Sequence, residues 1–112
     1  MEKYRVNKNV LYQRDYRIPQ DISVLDYIVN QNAEKEITDG ESTVLVLSLN
    51  EEIYEVNLVG AIIFEMINNN YGIDDILIKL RNVFQVNEMD LHNCVDAFVQ
   101  QMVQFGVLEV EK

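Results

Sequence analysis

Apolar and polar residues alternate in short runs along the first half of the chain, a pattern typical of strands. Residues 4–14 look extended, because Val10 and Tyr12 alternate with Leu11 and Gln13. The next such run, STVLVLSL at residues 42–49, is apolar at both odd and even positions. A strand of this kind is typically covered on both faces of its sheet, so we predict a fully buried strand here.

Residues 52–56 carry the cleanest period-two pattern in the chain. Tyr54 and Val56 would lie on one face, and Ile53 and Glu55 on the other. This arrangement is typical of a half-buried antiparallel strand. Because only the turn residues around Asn50 separate it from the preceding strand, the two segments predict a hairpin.

Residues 18–36 fit two structures. As a helix, the segment would place four apolar residues on one face, and Pro19, Asp21 or Ser23 would start it. That apolar face consists of Ile22, Leu25, Ile28 and Val29. The portion SVLDYIV also fits a strand, and we expect a short helix. Further on, Asp39–Gly40 is a dipeptide favoured in tight hairpin turns.

The second half of the chain changes to helical periodicity and predicts three helices. The first follows Asn57, a favourable N-cap, and is apolar almost all round, so we expect it to be central and buried. Left-handed residues in NNNYG should end it, Gly72 among them. The second helix covers about residues 73–84 and begins with two aspartates, and the third covers about 88–105 between Asn87 and Gly106. A short terminal strand, VLEV, follows.

The third predicted helix has an unusually wide apolar face. Its apolar arc covers about half the helical wheel, whereas core packing needs only about 100°. Either the helix is simply well buried, or one border of the arc lines an exposed groove. Beside such a groove, an edge strand at residues 52–56 would offer unpaired backbone groups to an added peptide strand. The residues at the centre and border of the arc are Leu91, Cys94, Val95, Phe98 and Met102.

The charge is −10 overall but is unevenly distributed. Residues 1–17 hold five of the nine basic residues and carry a net charge of +3, while residues 18–112 carry −13. An acidic fold of this kind repels nucleic-acid phosphates and favours a neutral or basic partner, although most of the acids should simply form a solvated surface.

The sequence predicts no catalytic residue, no metal site and no cofactor. A single histidine and a single cysteine support neither a nucleophile–base pair nor a zinc site, and no glycine-rich phosphate loop is present. Cys94 is expected to be a buried, inert thiol and His92 a surface residue. Because no apolar run is long enough to span a membrane and MEKYRVNKNV lacks a signal-peptide core, we expect no membrane partner and a cytoplasmic protein.

The order of these motifs resembles the PqqD-like family, whose domain is also called the RiPP recognition element. The resemblance rests on NVLYQR, the hairpin ending in YEVN, LVGAIIFEMI, YGIDDILIKLRNVF and DAFVQQMVQFGVL. It covers residues 43–108 well and 5–14 loosely. Val56 stands where the family usually has leucine, and residues 15–42 are longer than its usual link between the first two strands.

The resemblance implies one domain over residues 1–112 with an α+β, winged-helix-like fold: three antiparallel strands followed by three helices. Family members are non-catalytic and bind the leader segment of a ribosomally made precursor peptide. The leader adds to the third strand and leans on the third helix, and is delivered to a modifying enzyme, often a radical S-adenosylmethionine enzyme and otherwise a cyclodehydratase or leader peptidase. Carried over to this chain, the strand positions are Ile53, Tyr54, Glu55 and Val56, and the helix positions are Leu91, Cys94, Val95, Phe98 and Met102.

Two alternatives to peptide binding stay open at this point. A winged-helix nucleic-acid-binding regulator uses the same elements, but residues 88–105 contain no Arg or Lys and instead hold Glu88, Asp90 and Asp96. Nucleic acid is therefore not an expected partner. A dimerising scaffold module would use the apolar edge as the contact of a homodimer.

Overall fold

The computed structural model describes residues 3–30, 42–84 and 86–111, which form five strands and four helices. They divide into two units, one made of residues 9–65 and the other of residues 3–8 with 66–111. The strands are β1 (Lys3–Val6), β2 (Leu11–Arg14), β3 (Leu45–Leu49), β4 (Glu52–Val56) and β5 (Leu108–Glu111). The helices are α1 (Val24–Val29), α2 (Leu58–Asn68), α3 (Ile73–Val83) and α4 (Glu88–Gln104).

A three-stranded antiparallel sheet in the order β2-β3-β4 organises residues 9–65. The β3–β4 hairpin is closed by Asn50 and Glu51, whose φ angles of 52° and 71° are both left-handed. Two left-handed residues make a turn whose twist matches that of the flanking strands, which fixes Leu49 opposite Glu52. The predicted hairpin and the predicted α+β fold with a three-stranded antiparallel sheet are both confirmed.

The prediction that β3 is covered on both faces is wrong. Leu45, Leu47 and Leu49 are buried, but Val46 is exposed and Ser48 is only half-buried. An antiparallel sheet can leave one face in water, and here the apolar character of Val46 does not reflect burial.

Residues 24–29 form the predicted short helix, α1, and Ser23, one of the predicted start residues, is its N-cap. The Ser23 side chain accepts a hydrogen bond from the Asp26 backbone N–H at 3.0 Å. Its buried residues, however, are Val24 and Tyr27 rather than the predicted face, and Val29 is exposed. The helix has only six residues, so two side chains one turn apart complete its buried face. The apolar spacing from Ile22 to Val29 is too long to describe a face of so short a helix. The predicted Asp39–Gly40 turn lies outside the described residues.

A tight turn after β2 is closed by Asp15 and Arg17. Arg17 donates from Nε and Nη2 to the Asp15 carboxylate at 2.9 and 2.7 Å, and its backbone N–H donates to the same group at 2.9 Å. The side-chain hydrogen bonds from Arg17 hold the pKa of Asp15 below its usual value of 3.8. The turn leads directly to Ile18, which is buried.

The lowered pKa of Asp15 predicts a specific pH dependence of stability. The ionised carboxylate stabilises the fold above pH 3.8, and this contribution is lost as the pH falls through the lower pKa of the folded state. We expect Asp15→Asn to destabilise the protein by up to about 1 kcal/mol at neutral pH, and the gap from the unsubstituted protein to shrink below pH 3.8. Urea unfolding at a series of pH values measures it, with Asp21→Asn, an exposed carboxylate nearby, as the control. A gap that stays constant down to low pH would contradict this assignment.

Helix α2 starts immediately after β4 because Asn57 caps it. The Asn57 side-chain oxygen accepts a hydrogen bond from the Gly60 backbone N–H at 3.0 Å. Residues 61–64 of this helix are fully buried, as the apolar pattern all round the helix predicts. The strand, the cap and the buried helix together leave no loop in which β4 could shift.

The end of α2 is set by Asn70, not by Gly72. Asn70 has a left-handed φ of 70°, and the Tyr71 backbone N–H donates to the Met66 carbonyl at 3.0 Å. The predicted left-handed role of Gly72 is wrong, because its φ is −79° and it is the N-cap residue of α3. The Asn run alone therefore supplies the helix stop.

Helix α4 begins at the predicted Glu88 and ends at Gln104, one residue before the predicted end. The Asn87 side chain accepts from the Met89 and Asp90 backbone N–H groups at 2.8 and 3.3 Å, and Gly106 ends the helix with a φ of 83°. The following strand β5, predicted from VLEV, pairs antiparallel with β1. Asn7 holds the turn after α4 by donating to the Gly106 carbonyl at 3.0 Å.

Candidate functional site

Strand β4 lies at the edge of its sheet. The order β2-β3-β4 leaves one side of β4 without a strand neighbour among residues 3–30, 42–84 and 86–111. Edge strands present backbone donors and acceptors that a further strand can pair with. Residues 52–56 thus form an edge strand, as the sequence predicts.

The direction of the backbone groups along β4 follows from one hydrogen bond. The Val44 N–H donates to the Val56 carbonyl at 2.8 Å, so the backbone groups of Val56 point toward β3. Because these groups alternate in direction along an antiparallel strand, those of Ile53 and Glu55 point away from β3. Two residues of β4 therefore direct an N–H and a C=O outward.

The side chains of β4 alternate as the sequence predicts. Val56 is buried and Tyr54 half-buried, while Ile53 is 68% exposed and Glu55 is also exposed. The four predicted strand positions are thus brought together on one strand, and Ile53 and Glu55 are the two with both exposed side chains and outward backbone groups.

The outer face of the sheet carries an apolar surface that the sequence did not predict. Leu11 and Ile53, 72% and 68% exposed, both lie opposite Ser48 in neighbouring strands, and Val46 is exposed beside them. The alternation of side chains along a strand could have indicated this surface, because Leu11 and Val46 lie on the sheet face opposite to that of the buried leucines. Apolar side chains therefore extend from β4 across to β2.

The five predicted helix positions all lie on α4 but differ in exposure. Leu91, Val95 and Met102 are buried, Phe98 is half-buried, and Cys94 is exposed. The expectation that the Cys94 thiol is buried is wrong, because Cys94 lies at the border of the apolar arc, about 60° from Leu91, where packing no longer covers the helix. Of the five predicted helix positions, Cys94 alone is exposed.

Two cavities lie beside the opposite border of α4. They have volumes of about 260 and 250 Å³, and both are bounded by Leu77 of α3 and His92 of α4. Val95 lines the first and Leu91 the second. Two residues predicted to line a groove thus line these cavities between the helices. The exposed His92 agrees with the predicted surface histidine.

The charged and metal-ligating side chains of the described residues bear on which ligands the protein can bind. Helix α4 contains no Arg or Lys and carries Glu88, Asp90 and Asp96. Across the part of the chain that the structure describes, no three His, Cys, Asp or Glu side chains are grouped to hold a metal ion. Within that same part, no helix is long and apolar enough to cross a membrane.

The family model for coenzyme PQQ synthesis protein D (PqqD) matches residues 42–108, which is more than half of the chain. The chain belongs to the PqqD family. No curated protein and no solved structure matches it. The resemblance to the PqqD-like family over residues 43–108 is therefore confirmed.

The part of the chain that matches PqqD contains the candidate site. It includes β3, β4 and the helices α2, α3 and α4, whereas β1, β2 and α1 precede it. PqqD membership indicates a peptide-binding accessory protein related to PQQ synthesis. The strand edge of β4 is a feature that can bind a peptide through its backbone.

Proposed function

We propose that this PqqD family member captures the leader segment of a ribosomally made precursor peptide by strand addition to β4, and presents it to a modifying enzyme. The protein itself takes no catalytic part and works as a single domain in the cytoplasm. The modifying enzyme is of the kind that acts on such peptides, for example a radical S-adenosylmethionine enzyme. The protein's partners are a peptide and another protein, and neither nucleic acid nor a membrane.

The observation that carries this proposal is the outward direction of the Ile53 and Glu55 backbone groups at the β4 edge. An added strand would form main-chain hydrogen bonds with these two residues, which supply affinity without a particular sequence. The exposed Ile53 side chain, next to Leu11 and Val46, would supply selectivity for apolar peptide residues. The acid-rich helix α4 disfavours the alternative of nucleic-acid binding.

The helix positions Leu91, Cys94, Val95, Phe98 and Met102 are proposed separately as peptide contacts. Only Cys94 can be altered without removing buried apolar surface, since the other four are buried or half-buried. Substituting Phe98 by alanine would mix a packing defect with a binding defect.

Titration with a candidate leader tests strand addition directly. Short open reading frames beside the gene supply the peptides, and the N-terminal half of each is titrated into the full chain while amide NMR spectra are recorded. We expect a micromolar or tighter Kd, with shifts concentrated on residues 53–57. Peptides N-methylated at alternate residues provide matched controls, because an added strand directs only every second N–H toward β4. One methylated set should lose binding and the other should keep it.

A reporter on Cys94 tests the helix positions in the same titration. Because this is the single cysteine in the chain and its side chain is exposed, a fluorescent maleimide labels one defined site. An emission change that saturates together with the NMR shifts supports contact near α4. If no peptide binds and the protein instead dimerises through β4, the leader-capture proposal is wrong and the homodimeric scaffold is the better account.

A further inference from the structure

The larger cavity beside α4 combines an apolar interior with a polar rim. Its walls include Ile73 and Leu77 of α3 and the buried Val95 and Val99 of α4. Tyr4 of β1, itself buried, also borders the cavity. The volume of about 260 Å³ falls below the roughly 300–1,000 Å³ of pockets for small molecules and cofactors. The cavity is therefore suited to a single side chain rather than to a cofactor.

The rim is built by three polar residues spaced one helical turn apart. His92, Asp96 and Gln100 stand at i, i+4 and i+8 of α4, and all three are exposed. Side chains at this spacing share one face of a helix, so the imidazole, carboxylate and amide follow one another along the cavity mouth. Asp96 and Gln100 provide oxygen acceptors there.

The charge around this cavity is negative. Helices α3 and α4 carry five acidic and two basic side chains. Neither base lines this cavity: Arg81 pairs with Glu88 at 3.3 Å at the second cavity, and the Lys79 ammonium lies 5.6 Å from the ring centre of Tyr71. Among the described residues, no cation pairs with Asp96 at the rim of the first cavity or with Asp74 at the rim of the second.

We propose that the cavity between α3 and α4 receives a lysine or arginine side chain from a partner protein. The methylene stem of such a side chain would pack against Leu77, Val95 and Val99, while its charged head would reach Asp96 and Gln100. A purely apolar side chain would form no ion pair with the exposed rim carboxylate, and an acidic one would be repelled by it. The occupant is thus a basic side chain flanked by apolar residues.

This docking site shares only the buried Val95 with the peptide-binding positions proposed above. It uses no residue of β4, and its rim residues lie about 120–160° around α4 from Cys94 and Phe98. The cavity therefore extends the function of the protein to a second protein contact, which does not depend on leader capture.

Short peptides of defined charge test the proposal on the full chain. Acetylated, amidated tripeptides Leu-X-Leu, with X as arginine, lysine, norleucine or glutamate, are titrated at millimolar concentration and followed by amide NMR. The arginine and lysine peptides should shift the amides of α3 around Leu77 and of α4 from His92 to Gln100. We expect the norleucine peptide to bind about three- to tenfold more weakly, and the glutamate peptide to give no shift.

Two substitutions distinguish the effect of the rim carboxylate from the effect of the overall negative charge. Asp96→Asn should weaken binding of the arginine peptide by about three- to tenfold, whereas Asp75→Asn, at an exposed acid of α3 that does not line the cavity, should leave it unchanged. Equal binding of the arginine and norleucine peptides, or shifts outside these helices, would overturn the proposal. So would concentration-dependent shifts of the same amides without peptide, which would place a second copy of the chain in the cavity.

Discussion

The Glu55→Pro substitution is expected to weaken capture of a leader peptide by about tenfold or more while the protein stays folded. The Glu55 N–H points away from β3, because the neighbouring Val56 carbonyl accepts from Val44. Proline therefore removes a donor that the sheet does not use. An edge strand also tolerates proline better than a central strand does.

The loss has two physical sources. A typical hydrogen bond contributes about 0.5–1.5 kcal/mol, which corresponds to a factor of about two to twelve in affinity. The proline ring would also occupy the space through which an added strand approaches, so the hydrogen bonds on either side weaken as well. Calorimetric titration with the leader peptide gives the affinity, and thermal unfolding of the same sample gives the stability.

Glu55→Ala is the matched control, since it removes the same side chain and its hydrogen bond from Thr43 at 3.2 Å while keeping the backbone N–H. We expect it to bind the peptide within about threefold of the unsubstituted protein, because the polar contacts of an exposed, solvated side chain contribute little. Equal affinity of the proline and alanine variants would rule out pairing of the leader with this edge.

Ile53→Asp provides a second test that does not depend on a proline. The Ile53 side chain is 68% exposed, so its replacement should change the melting temperature little. It places a charge among the exposed apolar residues of the outer sheet face, and peptide affinity should fall. Unchanged affinity would move the binding site away from β4.

The residues that define β4 could be predicted because their signals are local. The period-two alternation at residues 52–56 and the capping side chain of Asn57 act within a few residues, and the structure has both. The left-handed Asn50–Glu51 turn likewise fixes the hairpin register from its own two residues. Such features depend on backbone geometry rather than on distant parts of the chain.

The features that could not be predicted depend on pairing between distant segments. The Lys3–Val6 strand finds its partner at Leu108–Glu111, and through this pairing Tyr4 reaches the cavity beside α4. The four-residue spacing of His92, Asp96 and Gln100 is visible in the sequence, but the sequence does not show which residues of other elements face them across the cavity. The exposure of Val46 and Cys94 also depends on which neighbours cover a face, which composition does not determine.

Glu65→Ala should be the most destabilising single substitution of a charged residue considered for this protein. Glu65 is the single charged residue of helix α2, and its side chain is only 15% exposed. One oxygen accepts from the Val24 backbone N–H at 2.8 Å, and the other lies 3.5 Å from Nη1 of Arg14, whose side chain is 9% exposed. Arg14 Nη1 also donates to the Ile22 carbonyl, so one ion pair joins β2, the start of α1 and α2.

Removing the carboxylate leaves a nearly buried guanidinium without its counter-charge and the first turn of α1 without an acceptor. Breaking a buried pair from one side costs about 3–5 kcal/mol. For a domain of this size, that loss lowers the melting temperature by about ten degrees or more. Thermal and urea unfolding of the Glu65→Ala protein measure both quantities, and the effect should fall on stability in the unit formed by residues 9–65.

Three variants distinguish this nearly buried pair from a generic loss of charge. Glu65→Gln keeps an oxygen for the Val24 N–H and should cost less than Glu65→Ala. The double variant Arg14→Met with Glu65→Leu removes both charges and should recover much of the loss, because no buried charge is left unpaired. Glu109→Ala breaks the exposed Arg5–Glu109 pair, whose side chains are 59% and 45% exposed, and should cost less than about 1 kcal/mol. If Glu65→Ala costs no more than Glu109→Ala, the pair does not anchor α1, and the apolar contacts of Val24 and Tyr27 must hold that helix instead.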